Sequence, residues 1–376
     1  MKLLFLMDNA KGIGGGDYSI FKFAEYLAKI GNKVKVFASK ENEFYKNYEL
    51  PKNLSITYRS VVPYLFKGCG RVDLFWDKIF TKIFIENYIK KNKNIDFIAG
   101  YQTSSAIKAT KLGKKYGLKV INFVFESPTW LEKQLGDKWT NDLKKPRYKK
   151  LWDDFEDSLK HCDIIFVNSN ITNKETKIWL KSKVDATIYP GIDFDIVKNI
   201  PEQKKENQII YIGRLHKYKN VDEIVKSLAK IKSPPKLAIC GDGPEKEKLM
   251  QLASKLKINC VFKGQLTDYE KWAEIKKSKF MVFPSSMEGF GMPPMEALYC
   301  GVPCICSDLP VFREVYKNKV EYFKEHNIND LKRKILFLLE NTNYCIKRGK
   351  EGKRYIENRF SWLKSARKIE KIIKLK

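Results

Sequence analysis

Two glutamates, Glu288 and Glu296, have the residue type and spacing that most clearly indicate chemistry in this sequence. Gly289 and Gly291 follow the first of them and leave bare backbone amides that can approach a ligand closely. Two prolines come next, where a first helical turn tolerates them, so Glu296 should lie on a new helix. A short apolar run precedes the segment, and a strand, a glycine loop and a helix N-terminus together can bind an anion or a sugar. The same spacing also fits an ordinary strand-to-helix turn with two solvated glutamates.

Arg214 and Lys219 are a second pair of candidates, because they follow the apolar run over 208–212. Two fixed cations where a strand ends can stabilise the negative charge that develops on a departing diphosphate. Most other basic side chains of this lysine-rich sequence are merely solvated, and the same holds for this pair unless the fold brings it to the glutamates.

The elements that must position these residues follow the alternation of strand and helix that is typical of a parallel sheet. From residue 1 to about 189, short apolar runs alternate with helical periodicity, beginning with a strand over 2–7 and an amphipathic helix over about 17–30. Proline and glycine punctuate 189–193, and the alternation restarts afterwards. A chain of 376 residues also suits two domains of roughly 150 to 200 residues. We therefore expect an α/β protein with two domains.

A glycine-rich segment over 12–16 follows the first strand. Asp17 stands where a dinucleotide-binding fingerprint has its third glycine, and no acidic residue ends the second strand. The segment therefore argues against a nicotinamide-dependent enzyme. A simple strand-to-helix turn is one alternative for it.

The charge balance narrows the possible partners without choosing among them. A formal net charge of +28 favours anionic partners, which include nucleotide phosphates, acidic lipid headgroups and nucleic acid. A lysine-rich surface also arises in heat-adapted proteins with no such partner at all. No apolar run reaches the roughly 18 to 20 residues of a membrane helix, and residues 1–7 lead into the glycine loop without the features of a signal peptide. We therefore expect a cytoplasmic protein.

Neither of two metal-like motifs supports a metal site. Cys304 and Cys306 are two positions apart on an expected strand, with no histidine beside them. The segment Asp193-Phe194-Asp195 has the D-x-D spacing of some metal-dependent enzymes, but it lies in the linker instead of ending a buried strand. We therefore expect no metal.

Taken together, residues 288–303 resemble the donor-binding signature of the retaining glycosyltransferases of family 4, the glycosyl transferases group 1, which have the GT-B architecture. The resemblance extends over nearly the whole chain; it is strongest over 213–303 and weak over 42–95. It implies two Rossmann-like domains whose parallel sheets face each other across a cleft. The implied boundaries are 1–189 for an acceptor-binding domain, 190–358 for a nucleotide-sugar-binding domain and 359–376 for a terminal helix that crosses back to the first domain.

The resemblance also implies roles for the candidate residues. Arg214 and Lys219 match the basic residues that hold the donor diphosphate. Glu288 would lie beside the donor sugar, and Glu296 would accept hydrogen bonds from the ribose hydroxyls. The candidate donor-binding residues are Gly15, Gly16, Arg214, Lys219, Leu266, Glu288, Gly289, Phe290, Gly291 and Glu296, and the candidate catalytic residues are Glu288, Arg214, Lys219 and Glu126.

Further positions follow from the same resemblance. Gly15 and Gly16 resemble a Gly-Gly pair that lets the first helix meet the donor phosphates, and Leu266 would line the pocket for the nucleobase. Many family 4 enzymes have a histidine that touches the transferred sugar at the end of a strand, and this chain has Glu126 near that place. Either Glu126 takes over polar contact with the sugar or the acceptor, or the role is absent.

The implied function is metal-independent, retaining transfer of a sugar from a nucleoside-diphosphate sugar to a glycan, a lipid-linked acceptor or a small molecule, with no cofactor and no nucleic-acid partner. Two alternatives stay open at this point. One is another nucleotide-binding α/β enzyme, such as a GT-B epimerase or phosphorylase. The other is a basic nucleic-acid-binding protein, which would explain the net charge of +28 but not the paired glutamates.

Aromatic and basic residues are interleaved over 64–91. This pattern is typical of a helix that lies on an anionic membrane surface, which would place the protein at the inner face of the membrane. It fits equally a half-buried helix with lysines on its solvent side, so both alternatives stay open.

Overall fold

The computed structural model describes residues 1–7, 15–38, 49–58, 79–128, 132 and 144–376. The chain divides into two compact units. The first comprises Met1–Tyr189 and Trp362–Lys376, and the second comprises Pro190–Ser361. The chain therefore passes from the first unit to the second after Tyr189, where proline and glycine punctuate the sequence.

The first unit is built on a parallel sheet. Within the described residues its strands are β1 (Lys2–Met7), β2 (Lys33–Ala38), β3 (Leu54–Tyr58), β4 (Phe97–Tyr101), β5 (Lys119–Val124), β6 (Ile164–Val167) and β7 (Ala186–Thr187), in the order β3-β2-β1-β4-β5-β6-β7. In β1 and β5 nearly every residue is buried, as is usual where helices cover both faces of a parallel sheet. The order reverses between β1 and β4, and in open α/β sheets such a reversal leaves a ligand crevice at the carboxyl ends of the strands.

Helices connect these strands. Among the described residues up to Tyr189, the α-helices are α1 (Gly15–Lys29), α2 (Asn87–Lys91), α3 (Gln102–Tyr116), α4 (Pro146–Lys160) and α5 (Asn170–Leu180). A π-helical segment over Thr81–Glu86 leads directly into α2. The helix α1 packs Phe23, Ala24 and Leu27 into the core, in agreement with the predicted amphipathic face.

The second unit repeats the architecture. Its strands are β8 (Gln208–Ile212), β9 (Lys236–Cys240), β10 (Cys260–Gly264), β11 (Met281–Phe283), β12 (Cys304–Ser307) and β13 (Glu321–Phe323), all parallel, in the order β10-β9-β8-β11-β12-β13. Its helices are α6 (Phe194–Lys198), α7 (Val221–Leu228), α8 (Lys246–Lys255), α9 (Asp268–Lys277), α10 (Met292–Tyr299), α11 (Pro310–Tyr316), α12 (Ile328–Glu340) and α13 (Thr342–Arg359). The strand order reverses between β8 and β11.

The last helix, α14 (Trp362–Ile373), belongs to the first unit. The fully buried ring of Trp362 packs edge-on against Phe23 of α1, with ring centroids 5.4 Å apart. The hydroxyl of Ser365 donates to the carbonyl of Tyr189 over 2.6 Å. The chain therefore returns to the first unit after Ser361, slightly later than the predicted boundary at 358.

Most of the aromatic and basic segment over 64–91 lies outside the described residues, as does the glycine segment over 12–14. In the described portion, Ile83 is 50% exposed and Phe84 is 43% exposed, and Phe84 packs on Phe80. Within the part of the chain that the structure describes, no helix has the length and apolarity needed to span a membrane.

Candidate functional site

The loops that follow β8 and β11 meet where the second sheet reverses its strand order. The ammonium group of Lys219 forms an ion pair with Oε1 of Glu288. Both partners are nearly buried, with the Lys219 side chain 9% exposed and the Glu288 side chain 14% exposed. The Lys219 Nζ also lies 4.9 Å from the ring centroid of Tyr218 and 5.5 Å from that of Phe283. Two predicted site residues from distant parts of the sequence are thus in direct contact.

Hydrogen bonds to backbone carbonyls hold these two loops together. The N–H of Ser286 donates to the carbonyl of Tyr218 over 2.9 Å, and the side-chain amide of Asn220 donates to the carbonyl of Pro284 over 3.1 Å. Asn220 adopts a left-handed conformation with φ of 50°, which ends the 3-10 turn over Lys217–Lys219 and starts α7. The loop framework therefore fixes Lys219 beside Glu288.

Arg214 joins this group through Tyr218. Its exposed guanidinium donates to the Tyr218 hydroxyl over 3.0 Å, and its carbonyl accepts from the hydroxyl of Tyr211 over 3.1 Å. Burial raises the pKa of Tyr211 well above its usual range, and the nearby charge of Glu288 acts in the same direction. Tyr211 therefore stays a neutral donor that fixes the backbone of Arg214.

The loop after β9 supports the Arg214 loop from the other side. The N–H of Leu215 donates to the carbonyl of Asp242 over 2.9 Å. Gly241 has a φ of +139°, and a Cβ at this position would lie 2.0 Å from the carbonyl oxygen of Gly213. Only glycine therefore permits this close approach of the two loops.

The Glu288 segment leads into α10 as the sequence predicts. Gly291 has a φ of +86° at the helix N-cap, and its carbonyl accepts from the hydroxyl of Tyr316. The ring of Phe290 is buried and packs edge-on against Phe360. Phe290, predicted to bind the donor, can therefore contribute its backbone, while its side chain belongs to the core.

Glu296 lies on α10 and is only 6% exposed. Its Oε1 lies 2.8 Å from Nζ of Lys271 on α9, a contact that the sequence analysis missed. Burial raises the pKa of Glu296, while the positive charge of Lys271 acts in the opposite direction. The sequence offered no signal for this partner, because Lys271 is one of 72 lysine and arginine residues.

Leu266 lies between β10 and α9 and is half-buried. The next residue, Thr267, caps α9 through a reciprocal pair of hydrogen bonds with Glu270. The carbonyl of Gly264 accepts from the N–H of Gly241 over 2.7 Å, so the loops after β9 and β10 are also joined. Leu266 is therefore at the same carboxyl edge of the sheet as the charged group.

The predicted residues of the first unit gather at the carboxyl edge of its own sheet. Gly16 lies in the first turn of α1 beside Tyr101, and a Cβ on Gly16 would lie 3.3 Å from the Tyr101 ring and 3.4 Å from the Phe125 ring. Exposed Gly15 precedes it at the helix start. The hydroxyl of Tyr101 donates to the carboxylate of Asp17.

Glu126 follows β5 and is half-buried. Its N–H and that of Phe125 donate to Oε1 of Gln102, over 3.3 Å and 2.8 Å. Gln102 has a φ of 49°, a left-handed conformation that is uncommon outside glycine and is concentrated at functional sites. The sequence analysis did not identify Tyr101 or Gln102, because the residues that follow β4 over 102–105 include no glycine, proline or charged residue.

The two cysteines of the first metal-like motif lie in the core of the second unit. Cys304 and Cys306 are buried in β12, and burial raises the pKa of both thiols well above their usual range. Within the described ranges, no group of three or more histidine, cysteine, aspartate or glutamate residues is arranged to hold a metal ion.

Comparison with known proteins identifies the family of the second unit. Residues 193–355 match the glycosyl transferases group 1. The whole chain is 25% identical to an uncharacterized glycosyltransferase of Methanocaldococcus jannaschii, over 95% of the chain and 90% of the relative. The second unit contains a group 1 glycosyltransferase domain. The matched residues include the Lys219–Glu288 pair and the Lys271–Glu296 pair.

Solved structures confirm the fold of this glycosyltransferase. Sucrose-phosphate synthase from Thermosynechococcus elongatus superposes with a TM-score of 0.81 at 17% identity, over 100% of this chain and 98% of the other. HepE from Anabaena, solved in complex with UDP-glucose, superposes with a TM-score of 0.76 at 14% identity, over 100% of both chains. The predicted α/β fold of the GT-B class, with two Rossmann-like domains, is confirmed.

Proposed function

We propose that this glycosyltransferase takes a sugar from a nucleoside-diphosphate sugar, and that its second unit binds the donor. The observation that carries the proposal is the ion pair between Lys219 and Glu288 at the strand reversal of the second sheet, with Arg214 joined to it through Tyr218. A cation for the diphosphate and a carboxylate for the sugar are thereby held in one place.

Lys219 is suited to bridge two anions. An ammonium group has three N–H donors, and Glu288 uses one of them. The remaining donors of Lys219 and the exposed guanidinium of Arg214 provide charge-assisted hydrogen bonds for phosphate oxygens. Two fixed cations stabilise the negative charge on the leaving diphosphate, so we propose that catalysis needs no metal.

Glu288 stabilises the positive charge that develops on the sugar. Transfer leaves positive charge on the anomeric carbon, and a carboxylate nearby binds sugar hydroxyls and stabilises that charge. Its ion pair with Lys219 orients Oε1 and leaves the other oxygen for the sugar. We propose a retaining course with attack on the same face, in which the leaving phosphate accepts the proton of the acceptor.

Glu296 and Leu266 complete the donor site. Glu296 accepts hydrogen bonds from the ribose hydroxyls, and Leu266 contacts the base at the carboxyl edge of β10. The acceptor, a glycan, a lipid-linked sugar or a small molecule, binds the first unit near Gly15, Gly16 and Glu126. Peripheral contact with an anionic membrane and a cytoplasmic location stay predictions.

A binding screen tests the proposal. The melting temperature is measured with UDP-, GDP- and ADP-glucose, each with magnesium and with EDTA. A donor at about 100 times its Kd should stabilise the protein by ~2.7 kcal/mol. We expect one nucleotide to raise the melting temperature equally in both buffers, and Arg214→Ala to abolish the increase.

The control is Arg333→Ala, which removes an exposed arginine paired with Asp330 and should leave the shift unchanged. A shift that required magnesium would contradict metal independence. No shift with any of the three donors would contradict the proposed donor site. With the nucleotide that binds, NMR of the product gives the anomeric configuration and tests retention.

A further inference from the structure

We infer that Lys271 is a positioning residue for the donor, which orients Glu296 and keeps it ionised for binding the ribose of a nucleoside diphosphate. The inference rests on the proposed donor site and adds a residue that the sequence did not identify. It predicts that the enzyme loses its selectivity for an intact ribose when Lys271 loses its charge.

The first observation is the contact itself. Nζ of Lys271 on α9 lies 2.8 Å from Oε1 of Glu296 on α10. The side chains are 18% and 8% exposed, so solvent screens this pair weakly. Oε2 of Glu296 has no hydrogen-bond partner among the described residues. One carboxylate oxygen is therefore held by the protein, and the other can accept a hydroxyl of the ligand.

The second observation is that the ammonium of Lys271 is itself held in place. It lies 3.4 Å from Oδ1 of Asp268 and 4.7 Å from the ring centroid of Trp272, which is buried. The capping box of Thr267 and Glu270 fixes the first turn of α9, from which Lys271 projects. Lys271 therefore presents a charge of defined position to α10.

The chemistry of ribose recognition requires an ionised carboxylate. A carboxylate accepts hydrogen bonds at both oxygens, whereas a protonated carboxyl carries a donor on one of them. Burial raises the pKa of Glu296 and so favours the neutral form. The charged groups near it are Lys271 and Asp268 on α9, and the thiol of Cys300 lies at the end of its own helix. Lys271 is the group among these that favours ionisation.

The sign of the pH dependence follows. Glu296 is active when ionised, so selectivity for ribose is present above its pKa and is lost as the pH falls through it. Without Lys271 the pKa of Glu296 rises further, and the loss occurs at a higher pH. A lysine that only stabilised the fold would not move this profile.

The experiment compares two ligands. The nucleoside diphosphate that binds best among UDP, GDP and ADP is titrated by calorimetry beside its 2′,3′-dideoxy analogue, from pH 5.5 to 8.5. We expect the wild type to prefer the ribonucleotide by about tenfold, the lower end of what a hydrogen bond to a charged group contributes. Lys271→Met should reduce the preference to below about threefold at pH 7 and recover part of it at pH 8.5, and Glu296→Gln should remove it at every pH.

Lys334→Met is the matched control. Lys334 on α12 holds Glu321 at the start of β13 over 2.9 Å, with side chains 26% and 15% exposed. The amino end of β13 is the edge opposite to the proposed site, so this variant should keep the wild-type preference and profile. Lys271→Gln, which retains a donor without the charge, repeats the test if Lys271→Met does not fold.

The outcomes separate the inference from the proposed function. An unchanged preference and profile in Lys271→Met and Lys271→Gln, with the preference lost in Glu296→Gln, would overturn the role of Lys271 and leave the donor site intact. An unchanged preference in Glu296→Gln would show that Glu296 does not bind the ribose and would overturn the inference. The proposed binding of the diphosphate by Lys219 would stand. No binding of any nucleoside diphosphate by the wild type would overturn both.

Discussion

The two sheets reverse their strand order in the same way, and their carboxyl edges carry different chemistry. In the second sheet, Lys219 and Glu288 form a nearly buried ion pair beyond the carboxyl ends of the neighbouring strands β8 and β11. In the first sheet, Tyr101 and Phe125 pack with ring centroids 5.8 Å apart where β4 and β5 end, with Gln102 beneath the following loop. The backbone scaffold is thus common to both, and the loops decide what each edge can bind.

The difference fits the proposed division of donor and acceptor between the two units. Fixed cations at the second edge suit a diphosphate, for which charge-assisted hydrogen bonds are strong. Aromatic rings and the carboxylate of Glu126 at the first edge suit the hydroxyl groups of the proposed acceptor, because carboxylates accept hydroxyl hydrogen bonds. Substitutions that act on one edge should therefore affect one substrate more than the other.

The largest effect should come from Lys219→Met. The change removes the proposed diphosphate ligand and leaves Glu288 without its partner in a site where both are nearly buried. We expect kcat/KM for the donor to fall by about 100- to 1,000-fold, as for the loss of one oxyanion donor. The free energy of unfolding should fall by roughly 3 kcal/mol, because an uncompensated buried charge remains. Steady-state kinetics and denaturant unfolding measure the two effects.

The control for Lys219→Met is Lys226→Met. Lys226 pairs with Asp222 over 2.7 Å on the surface of the same unit, with side chains 43% and 40% exposed. Its loss should cost less than about 1 kcal/mol and leave the kinetics unchanged. Equal effects of the two substitutions would remove the distinction between the Lys219 site and ordinary surface charge.

An effect of intermediate size should come from Gly241→Ala in the second unit, and a smaller one from Gly16→Ala in the first. Gly241→Ala places a Cβ 2.0 Å from a backbone oxygen at a φ of +139°, so the Arg214 loop must move. We expect a loss of more than about 2 kcal/mol in stability and a marked loss of donor affinity. Gly16→Ala meets only aromatic rings at 3.3 Å and 3.4 Å, and should cost less than about 1 kcal/mol. Thermal unfolding of both variants checks the difference, and a more harmful Gly16→Ala would reverse it.

The charged edge was more predictable than the other because its signals are local. Glu288 lies in the glycine loop between a strand and a helix, and Lys219 follows the end of another strand. The βαβ pattern alone therefore brings the two loops to one edge of the sheet. Lys271 could not be predicted, since its contact with Glu296 joins two helices and depends on their packing. Phe290 shows the converse, because a residue inside the motif has its ring in the core.

The smallest effect should come from Glu126→Gln in the first unit. Its backbone N–H is held by Gln102, so the substitution keeps the loop in place, removes the negative charge and replaces one acceptor oxygen by an NH2 donor. We expect KM for the acceptor to rise by about three- to tenfold, in line with the ~1 kcal/mol of one hydrogen bond, while donor affinity stays unchanged. Kinetics with each substrate varied in turn separate these quantities. If Glu126→Gln weakened donor binding as strongly as acceptor binding, the carboxylate would act on the transferred sugar, and the division of the two substrates between the two edges would fail at this residue.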